Sequence, residues 1–353
     1  MKIILDGMGG DNSPSEIVKG AVHAARDFNF PIRIVGKQDV LEAELKKYHD
    51  SETLPIDILH AEEVIEMNES PSSAIRKKRN SSIRIGIEEI KDKNNTAFVS
   101  AGNTGAVLAA ATLFLRTLEG IDRPAIGAVL PTAKKNLLLI DAGANIEVHA
   151  NQLFQFGVMA EVFSRYVMEK ENPTVGLLSI GEEEGKGNEV TKDAYTLMNK
   201  SSLNFIGNIE GKEFYSGKAD VVVCDGFTGN IALKISESLA GFMMNELKII
   251  FSSGWRGKLG YVLVKPFLQI FKKKVDYHEY GGALLLGVNG TVVISHGSSN
   301  YRSIMNAIKL AGDLINKEVN THIKEEMEKN SEVKMSSKRA PSLWQNIKDS
   351  LNP

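Results

Sequence analysis

Apolar residues along the chain gather in short dense runs, most of them rich in β-branched side chains. "KIIL" (2–5), "IRIVG" (32–36), "AFVSAG" (97–102), "AIGAVL" (125–130), "NLLLIDAG" (136–143), "TVGLLSIG" (174–181), "ADVVVCDG" (219–226) and "TVVISHG" (291–297) each read as a buried strand. Between several of them the apolar period lengthens to that of a helix, at 106–116, 152–170, 230–251 and 301–329. Alternation of this kind predicts a largely parallel α/β sheet with helices on both faces.

In such sheets ligands collect beyond the carboxyl ends of the strands. Six strand ends carry distinctive turns: "DGMGGDNSP" (6–14), "SAGNTGA" (100–106), "DAGAN" (141–145), "SIGEEEGKGNE" (179–189), "CDGFTGN" (224–230) and "SHGSSN" (295–300). The expectation is that they share one rim. Glycine beside Asn, Ser, Thr or Lys lets backbone amides approach an anion, so the set reads as a phosphate cradle.

Residues 239–275 break the pattern. Leu239, Phe242, Met243, Leu247, Ile250 and Phe251 fall on one helical face, and Leu259, Val262, Leu263, Phe267 and Ile270 on another. Two amphipathic helices joined through "SSGWRG" are predicted. From Thr321 the chain turns charged and serine-rich; 330–353 reads as a flexible tail, closed by a short helix in "SLWQNIKDSL".

Composition narrows the class. With 353 residues, 42 % hydrophobic and 24 % charged, the chain can bury a large core in one or two domains. A net charge of −2 means that any nucleic-acid or membrane surface must be a local patch. The single cysteine, Cys224, excludes an intramolecular disulfide, and seven scattered histidines supply no Cys/His cluster for structural zinc. Asp6 interrupts the apolar start, and no run approaches the roughly 20 apolar residues of a membrane span, so a cytoplasmic protein is expected.

Neither G-x-x-x-x-G-K-[ST] nor a G-x-G-x-x-G after the first strand is present, which disfavours a kinase or an ordinary dinucleotide-binding dehydrogenase. Lys186 stands between two glycines and reads as a fixed cation for an anionic oxygen; the alternative is a solvated lysine paired with Glu182–Glu184. Those glutamates would orient it or cap the helix that begins near Glu189. His296 could protonate a leaving group or hold a phosphate oxygen, or instead cap the last long helix. Cys224 reads as an inert core thiol. Arg76, Lys77, Lys78, Arg79 and Arg84 form a basic run, either a solvated face or a landing patch for an acidic partner; without interleaved aromatics, no nucleic-acid partner is expected. The hairpin at 239–275 would lie at a subunit interface or on an anionic membrane, with Trp255 at its tip.

Taken together, "DGMGGD", "SAGNTGA", "RPAIG", "GLLSIGEEEGKGNE", "FIGNIEG", "ADVVVCDGFTGNIALK", "DYHEYGGALLLG" and "VVISHGSSN" closely resemble the bacterial acyl-(acyl carrier protein):phosphate acyltransferases, the PlsX family of phospholipid synthesis. The blocks fall in family order across roughly residues 1–320. Two positions depart from the family pattern: Gly7 replaces its usual alanine and Leu284 its usual proline. The resemblance implies a three-layer α/β/α fold of isocitrate/isopropylmalate dehydrogenase type, shared with phosphate acetyltransferases, with a catalytic domain over 1–329. It implies a cytoplasmic, membrane-associating homodimer, without cofactor or metal. Such an enzyme converts a long-chain acyl carrier protein thioester and inorganic phosphate into acyl phosphate, which feeds glycerol-3-phosphate acyltransferase.

In that reaction phosphate attacks the thioester itself, so the site needs an anion cradle and oxyanion stabilisation and no enzyme nucleophile. Lys186 is then expected on phosphate, with Asn188 and the amides of Gly185 and Gly187 beside it. Asn103, Asn145 and Asn230 are expected to fix the thioester carbonyl or the phosphate, His296 to assist the leaving thiol, and Asp225 to orient Asn230 or Lys186. Three other readings stay open: a small-acyl phosphate acetyltransferase using coenzyme A, a metal- and NAD-dependent decarboxylating dehydrogenase on the same fold, and a non-catalytic membrane-surface scaffold.

Overall fold

The computed structural model describes residues 1–91, 93, 96–275 and 281–333; most of the expected tail lies outside them. Its strands are β1 (Lys2–Asp6), β2 (Ile32–Gly36), β3 (Ile56–His60), β4 (Thr96–Ser100), β5 (Ala125–Leu130), β6 (Leu137–Ile140), β7 (Val175–Leu178), β8 (Phe205–Ile209), β9 (Val221–Val223), β10 (Ala283–Leu286) and β11 (Thr291–Ile294). The helices are α1 (Ser15–Phe28), α2 (Gln38–Leu45), α3 (Pro71–Lys77), α4 (Ser82–Glu89), α5 (Thr104–Ala110), α6 (Ala150–Tyr166), α7 (Glu189–Asn199), α8 (Gly226–Ser252), α9 (Gly254–Val275), α10 (Tyr301–Asn316) and α11 (Val319–Lys329).

One sheet holds all eleven strands, in the order β3-β2-β1-β4-β11-β10-β5-β6-β9-β7-β8. Seven of its ten pairings are parallel, as the alternation predicts. The three antiparallel pairings, β11 with β10, β10 with β5 and β5 with β6, sit together in the middle. They reverse the sheet: β3, β2, β1, β4 and β11 run one way and β6, β9, β7 and β8 the other. The single shared rim is therefore corrected. "DGMGGDNSP", "SAGNTGA" and "SHGSSN" end strands of one half, whereas "DAGAN", "SIGEEEGKGNE" and "CDGFTGN" end strands that point to the opposite edge. The two sets approach only at the centre, where Ile294 of β11 pairs with Ala283 and Ile140 of β6 pairs with Gly127, the partner of Leu284.

Two apolar layers bury the faces. Ile17 of α1, Phe154 of α6, Leu197 of α7 and Ile304 of α10 cover one, and Ile75 of α3, Ile83 of α4 and Val107 of α5 cover the other. α10 shows how the sequence specifies its place: Ile304, Ala307, Ile308, Ala311 and Ile315 form a buried stripe at helical spacing. Asn300 Oδ1 starts it by accepting from the N–H groups of Arg302 (3.0 Å) and Ser303 (3.1 Å). The helix expected over 301–329 is in fact two, because Glu318 takes a left-handed conformation, φ 46°, before α11.

Three strands went unpredicted. β3 and β8 are half-buried edge strands, and β10 is four residues between glycines. Gly7 fits its place closely, since a Cβ there would stand 2.7 Å from Ile34 Cγ2. Leu284 is fully buried in β10. The hairpin exists, but its turn shrinks to Ser253, because most of "SSGWRG" is helical. At 1.5 Å per residue, the 27 residues of α8 make a helix about 40 Å long.

Candidate active site

α8 begins where β9 ends, and Asp225 fixes that start. Its Oδ1 accepts from Thr228 N and its Oδ2 from Thr228 Oγ1, both at 2.8 Å, which caps the helix. Glycine lets the first turns press onto the end of β6: a Cβ at Gly229 would stand 1.9 Å from the Asp141 carbonyl oxygen. Asp141 holds the turn beneath. Its Oδ1 accepts from the N–H of Ile126 (3.0 Å), Gly143 (3.1 Å) and Ala144 (2.9 Å), and its Oδ2 from Asn145 N (2.7 Å) and Nδ2 (2.8 Å). Burial raises the pKa of this carboxyl, and those hydrogen bonds oppose the rise. Asn145 Nδ2 also donates to Pro124 O at 2.8 Å.

The other half is built alike. Asn103 Oδ1 caps α5 by accepting from Ala106 N at 3.0 Å, and its Nδ2 donates to the carbonyls of Glu66, Met67 and Glu69 at 3.1–3.2 Å. Asp6 is buried under the same turn and accepts from Ser100 Oγ at 2.7 Å and Met8 N at 3.1 Å. Burial raises its pKa as well.

Between the two sets of turns, over β5 and β10, lies a cleft of about 170 Å³. Ile126, Ala128, Ala283 and Ile294 supply apolar lining, and Thr104, Asn230, Lys234, Ser295, His296, Ser299 and Ser303 the polar groups. Ser299 is 2 % exposed and its Oγ has no hydrogen-bond partner. A buried hydroxyl left so costs about 1–3 kcal/mol. His296 Nδ1 lies 2.8 Å from Ser298 Oγ and accepts from Ser298 N at 3.2 Å. With Nδ1 accepting, the neutral ring carries its proton on Nε2. Lys234 Nζ pairs with Glu237 Oε2 at 2.8 Å, both residues lining the cleft.

Of the residues singled out in the sequence, the structure brings Asn230 and His296 together. Asn103, Asn145 and Asp225 hold the surrounding turns. Gly185, Lys186, Gly187 and Asn188 sit on the turn after β7, off the cleft lining, and Lys186 is exposed. Asn188 caps α7 by accepting from Thr191 N at 2.9 Å. Gly187 takes φ +102° where a Cβ would meet Thr191 Oγ1 at 2.2 Å, whereas a Cβ on Gly185 meets nothing within 4 Å. Glu182 serves other cations, Lys212 at 3.2 Å and Lys218 at 3.5 Å. The sequence reading missed Thr104, Lys234, Ser295, Ser299 and Ser303, although each lies within or beside a quoted block. Cys224 is buried, and desolvation pushes its thiol well above the usual range.

Elsewhere, Lys78 pairs with Glu69, and Arg84 with Glu88 at 3.0 Å, which leaves Arg76, Lys77 and Arg79 exposed from the basic run. On the hairpin, Trp255 and Phe267 are 71 % and 72 % exposed. Among the described residues no helix is long and apolar enough to cross a membrane.

The three-layer α/β/α fold thus sets hydroxyls, an amide, an imidazole and an ammonium around one central cleft. The chain matches the fatty acid synthesis protein family over residues 1–322. It is 49 % identical to the phosphate acyltransferase of Pelobacter propionicus over 330 residues, 94 % of this chain and 95 % of that one. To the phosphate acyltransferase of Halothermothrix orenii it is 48 % identical over 335 residues, 94 % of this chain and 100 % of the other. The chain belongs to this family, the phosphate acyltransferases or PlsX proteins, and is an acyltransferase. Among solved structures it is similar to a phosphotransacetylase from Streptococcus pyogenes (TM-score 0.60, 18 % identity, 90 % of this chain and 94 % of that one). A 4-hydroxythreonine-4-phosphate dehydrogenase from Klebsiella pneumoniae is also similar (TM-score 0.50, 14 % identity, 89 % and 98 %). At these identities the likeness shows the fold alone, the isocitrate/isopropylmalate dehydrogenase-like α/β/α arrangement.

Proposed function

We propose that this acyltransferase takes a long-chain acyl group from acyl carrier protein and joins it to inorganic phosphate for phospholipid synthesis. The observation that carries the reading is the cleft wall shared by Asn230, Lys234, His296 and Ser299. A phosphate oxygen attacks the thioester carbonyl carbon, the carbon–sulfur bond breaks, and the proton carried in by hydrogen phosphate leaves on the thiol. Lys234, Thr104 and Ser303 hold the phosphate in this reading. Ser299 and Asn230 donate to the developing oxyanion, where loss of one donor typically costs on the order of 10²–10³ in rate. His296 gives its Nε2 proton to the departing sulfur and regains one from phosphate. Lys234 thus takes the place that the sequence assigned to Lys186.

Arg76, Lys77 and Arg79 are the proposed dock for the acidic carrier. Arg76 and Lys77 lie on α3, whose first residue, Pro71, packs on α5: its Cγ would stand 2.5 Å from a Cβ on Gly105, next to Thr104. The exposed apolar hairpin is proposed to rest on the cytoplasmic membrane face, as large apolar patches mark interaction surfaces. In this reading the enzyme works as a homodimer and hands acyl phosphate to a glycerol-3-phosphate acyltransferase.

Incubation with palmitoyl-carrier protein, with and without phosphate, followed by hydroxylamine trapping, tests the reaction. Phosphate-dependent thiol release with a trapped acyl group is expected. Faster turnover of acetyl-coenzyme A would favour the small-acyl reading, and no release from either donor would overturn transfer.

A further inference from the structure

The polar cleft does not end at Lys234. Leu130 and Glu237 line both it and a second cavity of about 460 Å³, which runs between the middle of α8 and the end of α9. This second space is open on one side, its wall residues Tyr215, Leu239, Met243 and Phe271 being 38–52 % exposed, and its lining is far more apolar than that of the first. Tyr215 is pinned across it: its hydroxyl donates to Ser236 Oγ, which donates to Ala232 O at 2.6 Å. The Lys234–Glu237 pair stands at the junction, so charge marks where the polar space gives way to the apolar one. Beyond, Met244 and Lys272 are shared with a groove of about 880 Å³ between α8 and α9.

We infer that the cavity behind Glu237 is the subsite for the aliphatic chain of the acyl substrate. The inference rests on the acyl-transfer reading of the cleft. A thioester carbonyl at Ser299 and Asn230 carries a hydrocarbon that must leave the polar walls, and the space that opens from the cleft through Leu130 is apolar. Two methionines let one wall fit chains of different shape, since unbranched thioethers repack easily. The chain enters past Glu237 and extends along α8, which places the product's tail toward the hairpin.

Gly241 provides the test. It lines this space and is itself exposed, and a Cβ there meets nothing within 4 Å, so a large side chain is accommodated on the helix at the opening of the space. Gly241→Phe is expected to lower kcat/KM for palmitoyl-carrier protein roughly tenfold or more, by excluding several methylenes from apolar contact. Turnover of butyryl-carrier protein should stay within about twofold, because a short chain ends before the obstruction. Using one carrier for both donors removes docking from the comparison. Equal losses with both chain lengths, or no loss with either, would overturn the subsite. A parent enzyme that formed acyl phosphate from neither donor would overturn the transfer reading instead. Displacement of a fluorescent fatty acid gives a readout independent of turnover: the variant should bind it at least several-fold more weakly, and unchanged affinity would contradict the assignment.

Discussion

Ser299 Oγ is buried with no partner beside a polar cleft, an arrangement that costs stability. Ser299→Ala should therefore raise the unfolding free energy by about 1–3 kcal/mol while kcat/KM falls on the order of 10²-fold. An equal loss of stability and activity would make the residue structural. Asp6 supplies a different prediction. Burial raises its pKa above the ordinary 3.8, so the folded protein holds that proton to higher pH than the unfolded chain does. Its share of stability is complete below about 4 and is lost as pH rises through the raised value. Asp6→Asn has no such loss. Denaturant unfolding should show the variant gaining on the parent as pH rises above about 4, and a gap independent of pH would contradict the assignment. Residue types were legible in the sequence, but roles were less so. Asn103, Asn145, Asn188 and Asp225 have the donors and acceptors expected of ligand contacts, yet they cap helices and tie turns, as Asn and Asp also do at strand-to-helix junctions.

At the scale of elements, α8 joins the cleft to the hairpin, and its start depends on a close backbone approach. Gly229→Ala would push a methyl into the Asp141 carbonyl oxygen, 1.9 Å away, so a loss of about 1–3 kcal/mol is expected. Asn230 and Lys234 would shift with the helix, and activity should fall too. Gly185→Ala, with nothing within 4 Å, should be nearly silent in thermal unfolding; a reversed ranking would overturn this view of the helix start. The sequence located most helices because burial on one face leaves a period, as in α10. It missed β10 because four residues between glycines carry no period, and the sheet reverses across that strand.

For the whole molecule, that reversal explains why cleft residues come from distant parts of the chain. Thr104 follows β4 and His296 follows β11 in one half, whereas Asn230 and Lys234 follow β9 in the other. Direction reversal is a property of pairing, which no local pattern encodes; the family blocks marked which turns mattered without saying how they meet. Charge also acts at this scale. With net charge near zero, docking of an acidic carrier depends on the local Arg76, Lys77 and Arg79 patch. Reversing these three charges should raise KM for carrier protein about tenfold or more at low salt and leave KM for phosphate unchanged; equal effects on both would count against docking. The central claim is that phosphate attacks the thioester directly. His296 and Ser298 stand in hydrogen-bond contact, so an acyl-serine is the pointed alternative, although Ser298 is absent from the cleft lining. The decisive measurement is intact-mass analysis of enzyme mixed with palmitoyl-carrier protein in phosphate-free buffer, quenched within one turnover. The enzyme mass should stay unchanged, with thiol released only once phosphate is added; an enzyme heavier by one palmitoyl group would contradict direct attack.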